Sequence, residues 1–328
     1  MSNLETTYLG LKIKNPLVIA SSGLTGNVAK IKELEGAGAG AVVLKSIFEE
    51  QINSEIEHLI DKAHHNRQYP EAADYMKFYV RDHSIVDHIM LLKHVKEVVS
   101  IPVIASINCV SAAEWTSFAR EFEEAGADAL ELNVFYVPTD RNTKPGVVEQ
   151  IYLDILSEVK KQVSVPISVK IGVYFSNLVA MAEKLKANGA KGLVMFNRFY
   201  EPDINLEKLE LSASEIFSSP QDIRRSLRWT GLVSSQVSQL DIAASTGIHD
   251  ADGVLKQLLA GAQVVQLCST IYKNGPEVIG EILSGLTEFM KKWNFHRIAD
   301  YRGRLSYKNI PDPMLYERSQ FMRYFSSR

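Results

Sequence analysis

Five polar side chains recur where short apolar runs end. Lys45 closes the run from Ala41, Asn108 follows Val103 to Ile107, and Asn133 closes the run from Ala129. Lys170 sits within Ile167 to Ile171, and Asn197 follows Gly192 to Phe196. Two ammonium groups and three amides around one pocket suit a polar, electron-accepting heterocycle: the ammonium groups lie beside atoms that gain negative charge, and the amides line its edge. Each residue alone has a plainer explanation. A lysine at a strand end reaches for solvent or pairs with an acid such as Glu131, and an asparagine there caps a turn. The recurrence at five run ends favours a site.

Central to this set is the stretch from Asp128 to Asp140, Asp-Ala-Leu-Glu-Leu-Asn-Val-Phe-Tyr-Val-Pro-Thr-Asp. Leu130 and Leu132 alternate with Glu131 and Asn133, so the acid and the amide share one face of a period-two element. A carboxylate aimed at a protein interior needs partners, because burying it unpaired costs more than its packing returns. Two later segments, Ala244-Ser245-Thr246-Gly247-Ile248 and Leu267-Cys268-Ser269-Thr270-Ile271, each precede a helical stretch, and Gly275-Pro276 follows the second. Their small and hydroxyl residues leave backbone N–H groups open to a phosphate at a helix N-terminus. Plain capping by serine and threonine is the simpler alternative. The adjacent His64 and His65 point apart in a strand and give no ligand geometry, so no metal is assigned. Arg224 and Arg228 share a helical face beside Arg225, where solvent is expected rather than an anionic ligand.

The elements that position these groups repeat one unit: an apolar run, a loop, then an amphipathic helix. The runs are residues 17–21, 41–45, 103–107, 129–133, 167–171, 192–196, 241–244 and 264–267, and helical stretches include 27–36, 84–98, 111–125, 147–162, 177–188, 250–260 and about 276–292. Eight strands alternating with helices predict an α/β fold, a single (β/α)8 TIM barrel. An open doubly wound sheet is the alternative, but no Gly-x-Gly-x-x-Gly follows the first strand. Insertions at about 46–83 and 198–229 follow strands two and six, at the end that carries the site in such barrels, and so are expected to form a lid or substrate wall. A C-terminal extension from about residue 295 packs on the barrel or contacts another subunit.

Composition narrows the partners. With 46% hydrophobic and 23% charged residues among 328, and a net charge of −3 from well-mixed signs, one domain spanning 1–328 is expected, with no nucleic-acid or membrane partner. Cys109 and Cys268 are too few for a disulfide framework. The start, Met-Ser-Asn-Leu-Glu, lacks a basic segment followed by an apolar run, and the cytoplasm is the expected location.

Motifs along nearly the whole chain carry a family resemblance. They are Asn15-Pro16 with Ala20-Ser21, Ala39-Gly40-Ala41 leading to Lys45-Ser46, Ser111-Ala112-Ala113-Glu114, Glu131-Leu132-Asn133, Val169-Lys170, Gly247-Ile248, and Gly275-Pro276 with Ile298-Ala299-Asp300-Tyr301. Together they resemble the FMN-dependent dihydroorotate dehydrogenase family, its cytosolic class, and in particular a dihydroorotate dehydrogenase-like branch. The resemblance implies an FMN-binding oxidoreductase of pyrimidine biosynthesis that oxidises a dihydropyrimidine-like substrate, with hydride passing to flavin N5, and a homodimer is one expected assembly. It implies Ala20 and Ser21 at the flavin ring, Lys45 beside flavin and substrate, Asn133 and Lys170 on flavin or substrate, and Asn197 in the pocket; Asn108, from its place after the third strand, is expected on the cofactor with them. Thr246, Gly247, Cys268 and Ser269 match the phosphate loops. Lys45, Asn133 and Tyr136 are the expected catalytic positions. Tyr136 stands where family members place a cysteine or serine base, and a phenol, with an ordinary pKa of about 10, is a poor base near neutral pH unless tuned. Thr246 and Cys268 replace glycines, and the family's Asn-, Gly- and Pro-containing substrate loop is absent from residues 64–74. An altered substrate follows from these departures, the alternative being a non-catalytic or regulatory barrel that binds a partner or small molecule.

Overall fold

A computed structural model describes residues 3–52, 54, 71–109, 112–198, 201–213 and 215–317. Every expected apolar run is a strand: β1 (Leu17–Ile19), β2 (Ala41–Val43), β3 (Val103–Asn108), β4 (Ala129–Asn133), β5 (Ile167–Ile171), β6 (Gly192–Met195), β7 (Asp241–Ser245) and β8 (Val264–Leu267). Neighbours pair in parallel in that order, and β8 returns to β1 through Val265 and Leu17, which closes the barrel. Around it lie α1 (Val28–Gly36), α2 (Glu71–Val98), α3 (Ala112–Glu124), α4 (Val147–Gln162), α5 (Leu178–Ala187), α6 (Ile223–Gln236), α7 (Ala251–Ala260), α8 (Ser269–Asn274) and α9 (Val278–Trp293).

Strand periodicity divides the core in two. Leu130 and Leu132 of β4 belong to the outer cluster with Trp115, Phe118 and Phe122 of α3, whereas Ala129 belongs to the inner one. Each strand is therefore apolar on its helix-facing side whatever its inner side carries. The N-terminal end of the barrel is plugged by an antiparallel hairpin, Thr6–Tyr8 with Leu11–Ile13. Its Tyr8, Leu9 and Ile13 pack on Val18, Ala41, Ile104 and Val194. The Leu9 N–H donates to Asp241 Oδ2 at 2.7 Å, and a side chain at Gly192 would meet Leu9 at 2.5 Å, so that glycine makes room for the plug. Above it, towards the strand C-termini, the interior becomes polar with Ser106, Glu131, Ser168, Lys170 and Gln266, all buried.

Two glutamates repeat one stitch around the barrel. Glu35 at the end of α1 accepts from Ser100 N–H, Ser100 Oγ and Ile101 N–H ahead of β3. Glu123 near the end of α3 accepts from Ser164 N–H, Ser164 Oγ and Val165 N–H ahead of β5. The local sequences match, Ser-Ile-Pro-Val and Ser-Val-Pro-Ile, so the repeat is local chemistry as well as topology.

The insertions differ from their expected bounds. Helix α2 begins at Glu71 rather than at 84, while 55–70, with His64 and His65, lie outside the described residues. After β6 a hairpin, Pro202–Asn205 with Glu210–Ala213, precedes a short 3-10 turn, and α6 starts at Ile223, so the insertion ends near 222 rather than 229. In the tail, Phe295 stacks on the buried Tyr301 at 5.3 Å, and Tyr307 N–H donates to Gly231 O of α6. The described part of the tail thus packs on the barrel, and 318–328 lie outside the described residues. Among the described residues no helix is long and apolar enough to cross a membrane.

Candidate active site

At the C-terminal ends of the strands lies a cavity of about 550 Å³, within the range of small-molecule and cofactor pockets. Ala20 and Ser21 line it beyond β1, Lys170 from β5, Asn197 beyond β6, Ser245, Thr246 and Gly247 at the end of β7, and Gln266, Cys268 and Ser269 at the end of β8. Arg198, Glu215, Ile216, Phe217 and Ser218 of the insertion after β6 form a wall, as expected of that segment, and Phe217 packs on Tyr272 at 5.1 Å between centroids.

Lys170 sits in a buried network. Its Nζ donates to Gln266 Oε1 at 3.2 Å and lies 3.8 Å from Glu131 Oε1, and Gln266 Nε2 donates to Glu131 Oε2 at 2.5 Å. These are the partners that a buried Glu131 required. At the mouth, Asn197 Nδ2 donates to Asn133 Oδ1 at 2.7 Å, which joins the ends of β4 and β6. A row of hydroxyls, Ser21, Ser46 and Ser106, runs across β1 to β3 with oxygens 2.9 and 2.7 Å apart.

The two loops at the far end are clamped together by Ser218. Gly247 N–H donates to Ser218 Oγ at 3.3 Å, and Ser218 N–H donates to Ser269 Oγ at 3.0 Å. Ser218 Oγ also contacts His249 Nε2 at 3.1 Å, while burial and Lys273 lower the His249 pKa, so this imidazole is neutral at pH 7. Gly247 has φ +79°, and a Cβ there would stand 2.1 Å from Ile223 N. Thr246 adopts φ +73° without being glycine, its hydroxyl held by Phe196 O at 3.1 Å. Cys268 is pushed up by burial, against the opposing pull of Ser22 and Lys170, and remains a thiol near neutral pH.

Eight of the expected site residues therefore line one cavity, and Asn133 joins them through Asn197. Lys45, Asn108 and Tyr136 are not in the lining. Lys45 is exposed, its stem beside Gly26; Asn108 is half-buried opposite Phe48; Tyr136 is half-buried against the core. Tyr152 steadies the start of the Tyr136 loop by donating to Val134 O at 3.2 Å. Arg224, Arg225 and Arg228 are exposed, as expected, and Arg224 and Arg225 border a second cavity of about 270 Å³ that shares Phe196, Asn197 and Thr246 with the first. Sequence reasoning missed Gln266 and Ser218. Gln266 was within reach, since its period-two relation to Val264 turns it inward; Ser218 lies in an insertion with no periodicity to read. Among the described residues no three His, Cys, Asp or Glu side chains are grouped to hold a metal.

Residues 3–290 match the family model described as dihydroorotate dehydrogenase. The chain is 27% identical over 311 residues to dihydroorotate dehydrogenase B (NAD(+)), catalytic subunit, of Thermoplasma volcanium, covering 92% of this chain and 98% of that one. It is 26% identical over 306 residues to the putative dihydroorotate dehydrogenase A (fumarate) of Aeropyrum pernix, covering 92% and 96%. To the NAD-dependent dihydropyrimidine dehydrogenase subunit PreA of Escherichia coli it is 22% identical over 336 residues, covering 94% and 78%.

Proposed function

The chain belongs to the dihydroorotate dehydrogenase family of FMN-dependent oxidoreductases acting on CH–CH bonds, and from that premise we propose that it oxidises a dihydropyrimidine-like substrate other than, or in preference to, dihydroorotate. The residues present fit FMN. Lys170 supplies a cation at the cavity floor, one oxygen of Glu131 behind it has no hydrogen-bond partner, and the loops carrying Thr246, Gly247, Cys268 and Ser269 border the cavity, with Gly247 N–H and Ser269 Oγ bonded to Ser218. Lys170, Asn133, Asn197, Ala20 and Ser21 would hold the ring, and Thr246, Gly247, Cys268 and Ser269 the phosphate. Bound FMN supplies the hydride acceptor.

The protein's part is to orient the substrate C–H and to take a proton. Asn133 and Asn197, fixed to each other, serve the first task. The observation that carries the altered substrate is Tyr136: it stands where relatives in the family place a cysteine or serine base, and it leans on the core rather than into the cavity. The relatives' names divide between NAD(+) and fumarate as acceptor. A homodimer is proposed with it, supported by the hairpin after β6, whose Ile204, Leu206, Leu209 and Leu211 are 59–84% exposed; light scattering of the purified chain tests this.

The test of function is anaerobic mixing of FMN-loaded protein with dihydroorotate and with uncharged dihydropyrimidines, following loss of the visible flavin band. Slow bleaching by dihydroorotate and faster bleaching by another member of the series is the expected result. Fast turnover of dihydroorotate would overturn the altered substrate.

A further inference from the structure

We propose that Glu131 and Gln266 are positioning residues that set how much of the Lys170 charge is presented to the cavity, and would thereby tune the electron affinity of a flavin bound there. The inference rests on the FMN reading of the same cavity and goes beyond it, since Glu131 lies outside the lining and Gln266, which is part of it, is assigned an effect through Lys170.

The three side chains are sealed in the barrel: Glu131 is 0%, Gln266 2% and Lys170 7% exposed. An ammonium and a carboxylate free to meet in such a place would close to a charge-assisted hydrogen bond of about 2.8 Å. Here they stop at 3.8 Å. The amide of Gln266 stands between them, its oxygen on Lys170 and its nitrogen on Glu131. Glu131 Oε1 is left with no hydrogen bond, a costly state for a buried acceptor. Below it Tyr8 is fully buried, and burial, then the Glu131 charge, push its phenol well above the ordinary range. Tyr8 therefore stays a neutral phenol beside the carboxylate.

Stability does not account for this arrangement. Apolar side chains of similar volume commonly replace buried ion pairs with no loss of stability. What the arrangement does achieve is electrostatic. The glutamine keeps the ammonium raised towards the cavity it floors, and the carboxylate, one amide away, offsets part of its field. Reduced flavin carries the more negative charge, so an ammonium beside it favours reduction and a carboxylate behind that ammonium moderates the effect.

Two nearly isosteric variants then act in opposite directions. Glu131→Gln removes the moderating charge and should shift the reduced-to-oxidised ratio, measured against a reference dye at equilibrium, about tenfold towards reduced flavin, or about 30 mV for a two-electron couple. Gln266→Met removes the spacer, lets Lys170 settle on Glu131, and should shift the ratio the other way. Flavin absorbance of each purified protein is recorded first. A parent that holds no FMN refutes the FMN reading, and this inference with it. If the parent and variants hold FMN but the ratios stay put or move together, the tuning role is wrong while the FMN reading stands. Loss of FMN from both variants but not from the parent assigns the pair a structural role and also overturns the proposal.

Discussion

The amide of Asn197 is bonded to that of Asn133, Nδ2 to Oδ1 at 2.7 Å, across the mouth between β4 and β6. Accepting this bond leaves the Asn133 NH2 group free to face a ligand, with its orientation set by a neighbour rather than by solvent. Asn133→Ala removes both the ligand donor and the acceptor that fixes Asn197. The expected loss is about a hundredfold in kcat/KM, the scale of a reactant misplaced by about an ångström, against a stability loss of only about 1 kcal/mol. Steady-state kinetics and thermal melting of the same preparation separate the two.

Gly247 admits no side chain. At φ +79° a Cβ is strained, and it would stand 2.1 Å from Ile223 N and 2.6 Å from Asp222 C at the start of α6. Backbone atoms cannot swing aside as a side-chain tip can. Gly247→Ala should cost about 2–3 kcal/mol and displace the loop N–H groups, so FMN retention through gel filtration should fall more steeply than the melting temperature. Full retention would show that the phosphate lies elsewhere.

The paired glutamates predict a pH dependence. For Glu35 and Glu123 burial works to raise the pKa, but hydrogen bonds from Ser100 and Ile101, or from Ser164 and Val165, outweigh it and hold both below the ordinary 4.5. A carboxylate depressed in the folded state adds stability that is complete above 4.5 and is lost as the pH falls through the lowered value. Glu35→Gln with Glu123→Gln should therefore lower the melting temperature at pH 7, and the gap to the parent should narrow as the pH drops below 4.5. A gap that stays constant with pH would mean that the hydrogen bonds matter and the charge does not.

Strand periodicity made the barrel legible in sequence. Leu130 and Leu132 against Glu131 and Asn133 define two faces, and seven further short apolar runs recur between helical stretches, so eight strands and the polar mouth could be read from the sequence. The plug from Thr6 to Ile13 could not, because two three-residue strands carry too little pattern. The candidate cavity was readable where strands line it, as with Lys170, and obscure where it depends on an insertion. Ser218 bonds both loops only because the segment after the 202–213 hairpin folds back over them, a long-range packing outcome with no local period. The pairing of Lys170 with Glu131, raised as the plain alternative to a ligand contact, is present together with a place in the cavity lining, so the two explanations were not exclusive.

Tyr136 gives the sharpest test of chemistry. It lies outside the cavity lining and against the core, in a loop whose start is held by Tyr152. If its hydroxyl takes the substrate proton, Tyr136→Phe abolishes flavin bleaching by the preferred substrate under anaerobic conditions, and solvent isotope effects present in the parent vanish with it. If Tyr136 is a wall, Phe preserves its packing and the bleaching rate stays within about threefold, because only one hydroxyl has been lost from a half-buried position. The present geometry favours the wall. Tyr136→Cys then supplies the thiol that the family places in this loop, and bleaching by dihydroorotate should rise by about a hundredfold, the lower end of what a positioned general base contributes. The rise should be steepest towards alkaline pH, as the thiolate forms around its ordinary value of about 8.5. An unchanged rate in the cysteine variant, with FMN still bound, would locate the block in the substrate contacts around Asn133 and Asn197 instead of in the missing base.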